Sequence, residues 1–161
     1  MEQQSNKGHR SSNGIVLVAD DEKNVRTPIV QFLLHADFRV LEAEDGEAAV
    51  VLAVEHVPTV ILLDVKMPKL SGIAAAKLIR QRQELVHIPI LLMSGSPLPG
   101  IRDTAYRIGC VDYLAKPYSP LALVAVVQHW AKMGIAGSPV RNDPLPDTIA
   151  APLPPPRWPS E

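Results

Sequence analysis

Five short apolar runs punctuate the chain at near-regular intervals: Ile15 to Ala19 (IVLVA), Val40 to Ala43 (VLEA), Thr59 to Leu63 (TVILL), Ile90 to Met93 (ILLM) and Val111 to Ala115 (VDYLA). Each has strand length. Three are almost wholly apolar with no polar alternation, as expected of parallel strands buried on both faces under helices. Between the runs the spacing changes to that of helices: Val25, Ile29, Phe32 and Leu33 recur every three to four residues, and the stretches from Glu47 to His56 and Ile73 to Arg82 are rich in Ala, Leu and Val. The order is (βα)5. It predicts an α/β fold with right-handed crossovers, a doubly wound, five-stranded parallel sheet, for which the strand order 2-1-3-4-5 is one of two common solutions.

Three local features modify this outline. Pro28 falls inside the first helix, which predicts a kink, or a late start at Pro28 with Thr27 as cap. The segment Ser94 to Gly100 (SGSPLPG) predicts a distinctive, mobile loop and a fourth helix that starts late. The fifth helix reads Leu121-Ala122-Leu123-Val124-Ala125-Val126-Val127, apolar around its circumference where a surface helix is normally half polar. Exposed apolar area of that kind marks a partner surface, so Leu121, Val124 and Val127 are candidate interface residues.

Composition sets the limits of the fold. Residues 1–13 contain no apolar residue after Met1, and the 28 residues 134–161 hold 8 of the 16 prolines, so both are expected to be disordered tails. The folded part is then 14–133, one domain. The net charge of −1 is spread without long basic runs, which argues against nucleic acid as a partner. A single cysteine, Cys110, and no segment patterned as a signal peptide predict a cytoplasmic protein; the longest strongly apolar stretch is too short to cross a bilayer. Cys110 is expected to pack as a small apolar residue, and the scattered histidines show no metal spacing.

Chemistry collects at the strand ends. The first strand ends in Asp20-Asp21, the third in Asp64 and the fifth in Lys116-Pro117, and ligands of open parallel sheets gather beyond the carboxyl ends of the strands. If the first and third strands are neighbours, three carboxylates share one crevice. Like charges brought together raise their pKa values or recruit a cation, and a hard, oxygen-preferring ion such as Mg²⁺ suits the donors and leaves room for phosphate oxygens. Lys116 would pair with Asp64 or with a phosphate on it. Taken singly, each Asp also fits a helix cap or a turn.

Taken together, Asp20-Asp21-Glu22, Asp64-Val65-Lys66-Met67-Pro68-Lys69-Leu70-Ser71-Gly72, Ser94 and Lys116-Pro117 resemble the receiver domain of two-component response regulators, in the CheY-like superfamily. The resemblance covers about 120 residues in the right order. It implies a flavodoxin-like three-layer sandwich with strand order 2-1-3-4-5. It also implies that Asp64 is the phosphoacceptor and that Mg²⁺ is held by Asp21, Asp64 and the backbone carbonyl of Lys66, with Asp20 acting through water. Ser94 and Lys116 would contact the phosphoryl group, and Tyr113 would be the switch aromatic. Lys66 and Ser96 match positions that tune the lifetime of the acyl phosphate.

The implied function is that of a stand-alone response regulator, not an enzyme beyond its own phosphorylation and dephosphorylation. A sensor histidine kinase or histidine phosphotransfer protein would supply the phosphoryl group. Output would go to a protein partner, or to a second copy, through the face of the fourth helix, fifth strand and fifth helix. Two alternatives stand beside it: a receiver-shaped scaffold that is never phosphorylated, and a receiver fragment of a larger hybrid kinase or response regulator. A Mg²⁺-dependent phosphatase of the haloacid-dehalogenase kind would need a second Asp where Lys66 stands.

Overall fold

The computed structural model describes residues 13–95 and 100–134. Its strands are β1 (Ile15–Ala19), β2 (Arg39–Ala43), β3 (Val60–Asp64), β4 (Ile90–Ser94) and β5 (Asp112–Ala115). They alternate with α1 (Lys23–His35), α2 (Gly46–His56), α3 (Gly72–Arg80), α4 (Ile101–Arg107) and α5 (Pro120–Met133), and a short 3₁₀ turn, Gln83–Leu85, precedes β4. All strand pairs are parallel and the order is β2-β1-β3-β4-β5. The expected disordered tails lie outside the described residues except for their innermost members Asn13 and Gly134, as does Ser96 with the rest of 96–99.

The apolar runs explain the layering. Side chains alternate across a strand, so Leu17, Ile61 and Leu63 join Ala49 and Ala53 of α2 and Ala75, Ala76 and Ile79 of α3 on one face. Val16, Val18, Val60 and Leu62 join Ile29 and Leu33 of α1 and Leu123, Val126 and Val127 of α5 on the other. Because both faces are covered, β3 is buried along its whole length. Alanines on α2 and α3 let those helices approach closely, and a side chain on Gly46 would overlap the Leu70 carbonyl.

Helix α1 corrects one expectation. It starts at Lys23, well before Pro28, with Glu22 as its N-cap residue. A proline deprives the carbonyl four residues earlier of its partner; Asn24 and Pro28 both lie on the exposed side of the helix. The fourth helix does start late, at Ile101.

Helix α5 corrects another. Val124 is 8% exposed and Val127 fully buried, packed with α1 against the sheet, so Val127 is closed to a partner and Val124 offers only a sliver of surface in the groove beside Leu121. The helix is apolar around much of its girth because it is wedged between the sheet and α1. Leu121 alone of the three candidates is exposed, at 70%, and it lies over a groove shared with Phe32 and His35 of α1, not toward α4. Val124→Glu should therefore cost about 2–4 kcal/mol, by burying an unpaired charge, while Leu121→Glu should stay within about 0.5 kcal/mol. Urea denaturation midpoints of the two variants against the wild type measure both.

Candidate functional site

The strand order brings the carboxyl ends of β1 and β3 side by side, and with them the acids. Oxygen atoms of Asp20, Asp21 and Asp64 lie within 4.8 Å of one another. Asp20 and Asp64 are buried and Asp21 is exposed, so the cluster has a dry floor and an open rim. Lys116, at the end of β5, reaches across the top of the sheet. Its Nζ donates to Asp20 Oδ2 at 2.9 Å and lies 3.4 Å from Asp64 Oδ1. The Lys116–Pro117 peptide is cis.

Each acid is held by its own local structure. Asp20 receives the Glu22 amide on Oδ1 at 2.9 Å, which closes the turn into α1. Asp64 ends β3 opposite Met93, and the ladder runs one bond further, from the Val65 amide to the Met93 carbonyl at 2.8 Å. The chain then loops through Met67-Pro68 and returns so closely that a Cβ on residue 72 would overlap the Asp64 carbonyl oxygen. Gly72 is thus required by the approach of α3 to the end of β3. Lys69 pins the same loop to the N-terminus of α2, its Nζ 3.3 Å from Asp45 Oδ2.

The electrostatics of the site follow from burial. Removal from water raises the Asp64 carboxyl to about 6, assisted by the charges of Asp20 and Asp21 and opposed by Lys116. For Lys116 burial acts against the ammonium, but the hydrogen bonds and charges of Asp20 and Asp64 outweigh it and leave its pKa above the ordinary value. Three oxygen-donor acids with one raised pKa make a donor set that fits a hard divalent cation, and Mg²⁺ is the one that takes few carboxylates and keeps its waters.

The remaining candidates flank this cluster. Ser94 is buried at the end of β4, and its carbonyl accepts the Lys116 amide at 2.8 Å, tying the ends of β4 and β5 together. Tyr113 is half-buried on β5 with the Arg102 guanidinium of α4 5.7 Å from its ring centre. The Lys66 side chain is exposed and, with Asp21, Met67, Pro68 and Ile101, borders an open depression beside the acids. Cys110 is buried and its thiol pushed up to about 12 by that burial, the reverse of an activated thiolate.

Sequence reasoning missed Arg26. It shares the buried stripe of α1 with Ile29, Val30 and Leu33. A charged residue in register with an apolar stripe, one turn after Asp20-Asp21, was the available signal. Its Nη1 donates to the Asp20 carbonyl and its Nε to Glu42.

Residues 16–128 match the family model of the response regulator receiver domain. Among curated relatives, the alkaline phosphatase synthesis transcriptional regulatory protein PhoP of Bacillus subtilis is 32% identical over 136 residues, covering 83% of this chain and 56% of PhoP. The sensor histidine kinase TmoS of Ectopseudomonas mendocina is 32% identical over 128 residues, covering 80% of this chain and 13% of TmoS. The chain therefore spans well under two thirds of either relative. Among solved structures, the receiver domain of the sensor histidine kinase PA1611 from Pseudomonas aeruginosa, with a magnesium ion in its active-site cleft, aligns with a TM-score of 0.68 at 30% identity. That alignment covers 74% of this chain and 98% of that one. The match runs from the first strand into the fifth helix and includes every element that carries the acidic crevice, so the chain belongs to the CheY-like response regulator receiver domains of two-component systems.

Proposed function

We propose that residues 14–133 act as a phosphoacceptor domain whose nucleophile is the Asp64 carboxylate. The observation that carries the reading is the joint placement of three acids and Lys116 at adjoining strand ends. A Asp64 oxygen would attack the phosphorus of a phosphohistidine on a sensor kinase or phosphotransfer protein. The P–N bond breaks, a P–O bond forms, and the imidazole leaves as the acyl phosphate is made. Asp21, Asp64 and the Lys66 carbonyl would hold Mg²⁺, with Asp20 acting through water; when bound, the ion supplies positive charge to the phosphoryl oxygens. Lys116, now paired with Asp20 and Asp64, is placed to bond a phosphoryl oxygen on Asp64. The Ser94 hydroxyl would be a second donor.

The group would bias one of two packings through what Ser94 and Lys116 contact in each, with Tyr113 turning as Ser94 moves. Protein, not nucleic acid, is the partner we propose, because the net charge of −1 carries no basic run. Output by contact through the α4, β5 and α5 face is the leading mode, to a partner or a second copy. The domain's own catalysis would extend only to gaining and losing its phosphoryl group, in the cytoplasm where a kinase has ATP. The match to a sensor histidine kinase favours a second reading, a receiver acting within a longer hybrid protein. Among the described residues no helix is long and apolar enough to cross a membrane.

Incubation with acetyl phosphate and Mg²⁺ should add one phosphoryl group to the intact mass. Asp64→Asn should abolish the gain and Lys116→Ala should slow it by roughly 100-fold. A persistent gain in Asp64→Asn would move the acceptor elsewhere.

The raised Asp64 pKa gives a second test. An acid that titrates near 6 when folded, and at the ordinary 3.8 when unfolded, binds its proton more tightly in the folded state. Stability from this group is therefore greatest below the unfolded value and is lost as pH rises through the folded one. Metal-free wild type should gain thermal stability relative to Asp64→Asn between about pH 7 and pH 5, and added Mg²⁺ should stabilise the wild type more at the higher pH. Melting curves of both proteins across that range measure it; parallel profiles would mean Asp64 titrates normally.

A further inference from the structure

Arg26 is 4% exposed, yet it makes no contact with the acid side chains of the crevice that the structure records. Its fork is spent elsewhere: Nη1 donates to the Asp20 backbone carbonyl at 2.5 Å, Nε to Glu42 Oε2 at 2.7 Å, and Nη2 lies 3.6 Å from Glu44 Oε1. Glu42 and Glu44 sit at the end of the edge strand β2, whereas Asp20 ends β1. The guanidinium thus ties α1, β1 and the end of β2 together directly beneath the acids.

That bond acts on the peptide that carries them. The Asp20 amide donates to the Ala43 carbonyl at 3.1 Å, which fixes the peptide plane before Asp20. Arg26 holds the carbonyl of the following plane, the one linking Asp20 to Asp21. With both planes fixed, the backbone rotation at Asp20 is determined from each side. The Asp20 carboxylate is further held by Glu22 and Lys116. Asp21 is the exposed member of the cluster, and its carboxylate hangs from the plane that Arg26 holds.

We propose that Arg26 is a positioning residue for cation binding: by clamping the Asp20 carbonyl between α1 and the end of β2, it aims the Asp21 carboxylate at the site shared with Asp20 and Asp64. The proposal rests on the Mg²⁺ reading above. An ammonium cannot reproduce the clamp, because the planar fork serves a backbone carbonyl and a carboxylate at once in fixed directions. Residues that orient metal ligands without touching the metal change affinity by about 10–100-fold when replaced.

The test is calorimetric titration of Mg²⁺ into metal-free wild type, Arg26→Lys and Arg26→Met, at a temperature where circular dichroism shows the variants folded. The Mg²⁺ Kd is expected to rise about tenfold or more in the Arg26 variants. In the metal-free proteins, the ¹³C resonance of the Asp20 carbonyl should shift as its donor is lost or altered. A merely structural arginine would lower the melting temperature and leave the Kd of the folded protein unchanged, so a Kd within about twofold of wild type overturns the proposal. Should neither Arg26 variant fold, Glu42→Ala, which removes the Arg26 Nε acceptor at an exposed residue, carries the same comparison, and an unchanged Kd again overturns it. A wild type that binds no Mg²⁺ overturns the reading of the site together with this inference, whereas a binding wild type with unchanged variants overturns this inference alone.

Discussion

Repulsion among three carboxylates is the constraint around which the top of this sheet is organised. Two of the acids are buried, and removal from water is the main cause of the raised Asp64 pKa, with the charges of Asp20 and Asp21 adding to it. Lys116 opposes it from the far side of the crevice, bonded to Asp20 and close to Asp64. The balance is incomplete, with one ammonium facing three carboxylates. An arrangement left short of positive charge, and opened to solvent at Asp21, favours a divalent cation.

Holding the acids in that arrangement occupies much of the surrounding structure. β3 is buried along its length, so Asp64 stands at the end of a rigid strand and not on a loop. The chain leaving it turns back so sharply that only glycine fits at residue 72. On the other side, Asp20 is bonded through its amide, its carbonyl and both carboxylate oxygens. These bonds come from β2, from the start of α1 and from the end of β5, so the position of one acid depends on a neighbouring helix and on two strands distant in sequence. Rigid presentation suits phosphoryl transfer, where catalysis is mostly positioning and charge stabilisation.

Much of this was legible in the residue pattern. Unalternating apolar runs announce strands covered on both faces, and the helical spacing between them forces parallel crossovers. The acids and Lys116 are legible as a set because each closes one of those runs. What failed were inferences from one helix considered alone. Pro28 offered a late start for α1 with Thr27 as cap, but the helix begins at Lys23 and runs through it. The apolar girth of α5 looked like a docking face, but Val124 and Val127 are spent on the sheet and on α1, and only Leu121 of those three is exposed.

The sequence by itself determined the alternation of elements and the identity of the acids, because these depend on local periodicity and on chemistry carried by single residues, whereas the need for glycine at residue 72 comes from the approach of α3 to the end of β3. Tertiary structure alone decided which charges meet. The strand order sets Asp20 beside Asp64, the reach of Lys116 from β5 supplies their common partner, and the burial of Arg26 under the Asp20 carbonyl joins three elements. Apart from the bond between Arg26 and Asp20, which are near neighbours in the chain, these contacts depend on distances between residues far apart in sequence, which no local pattern encodes.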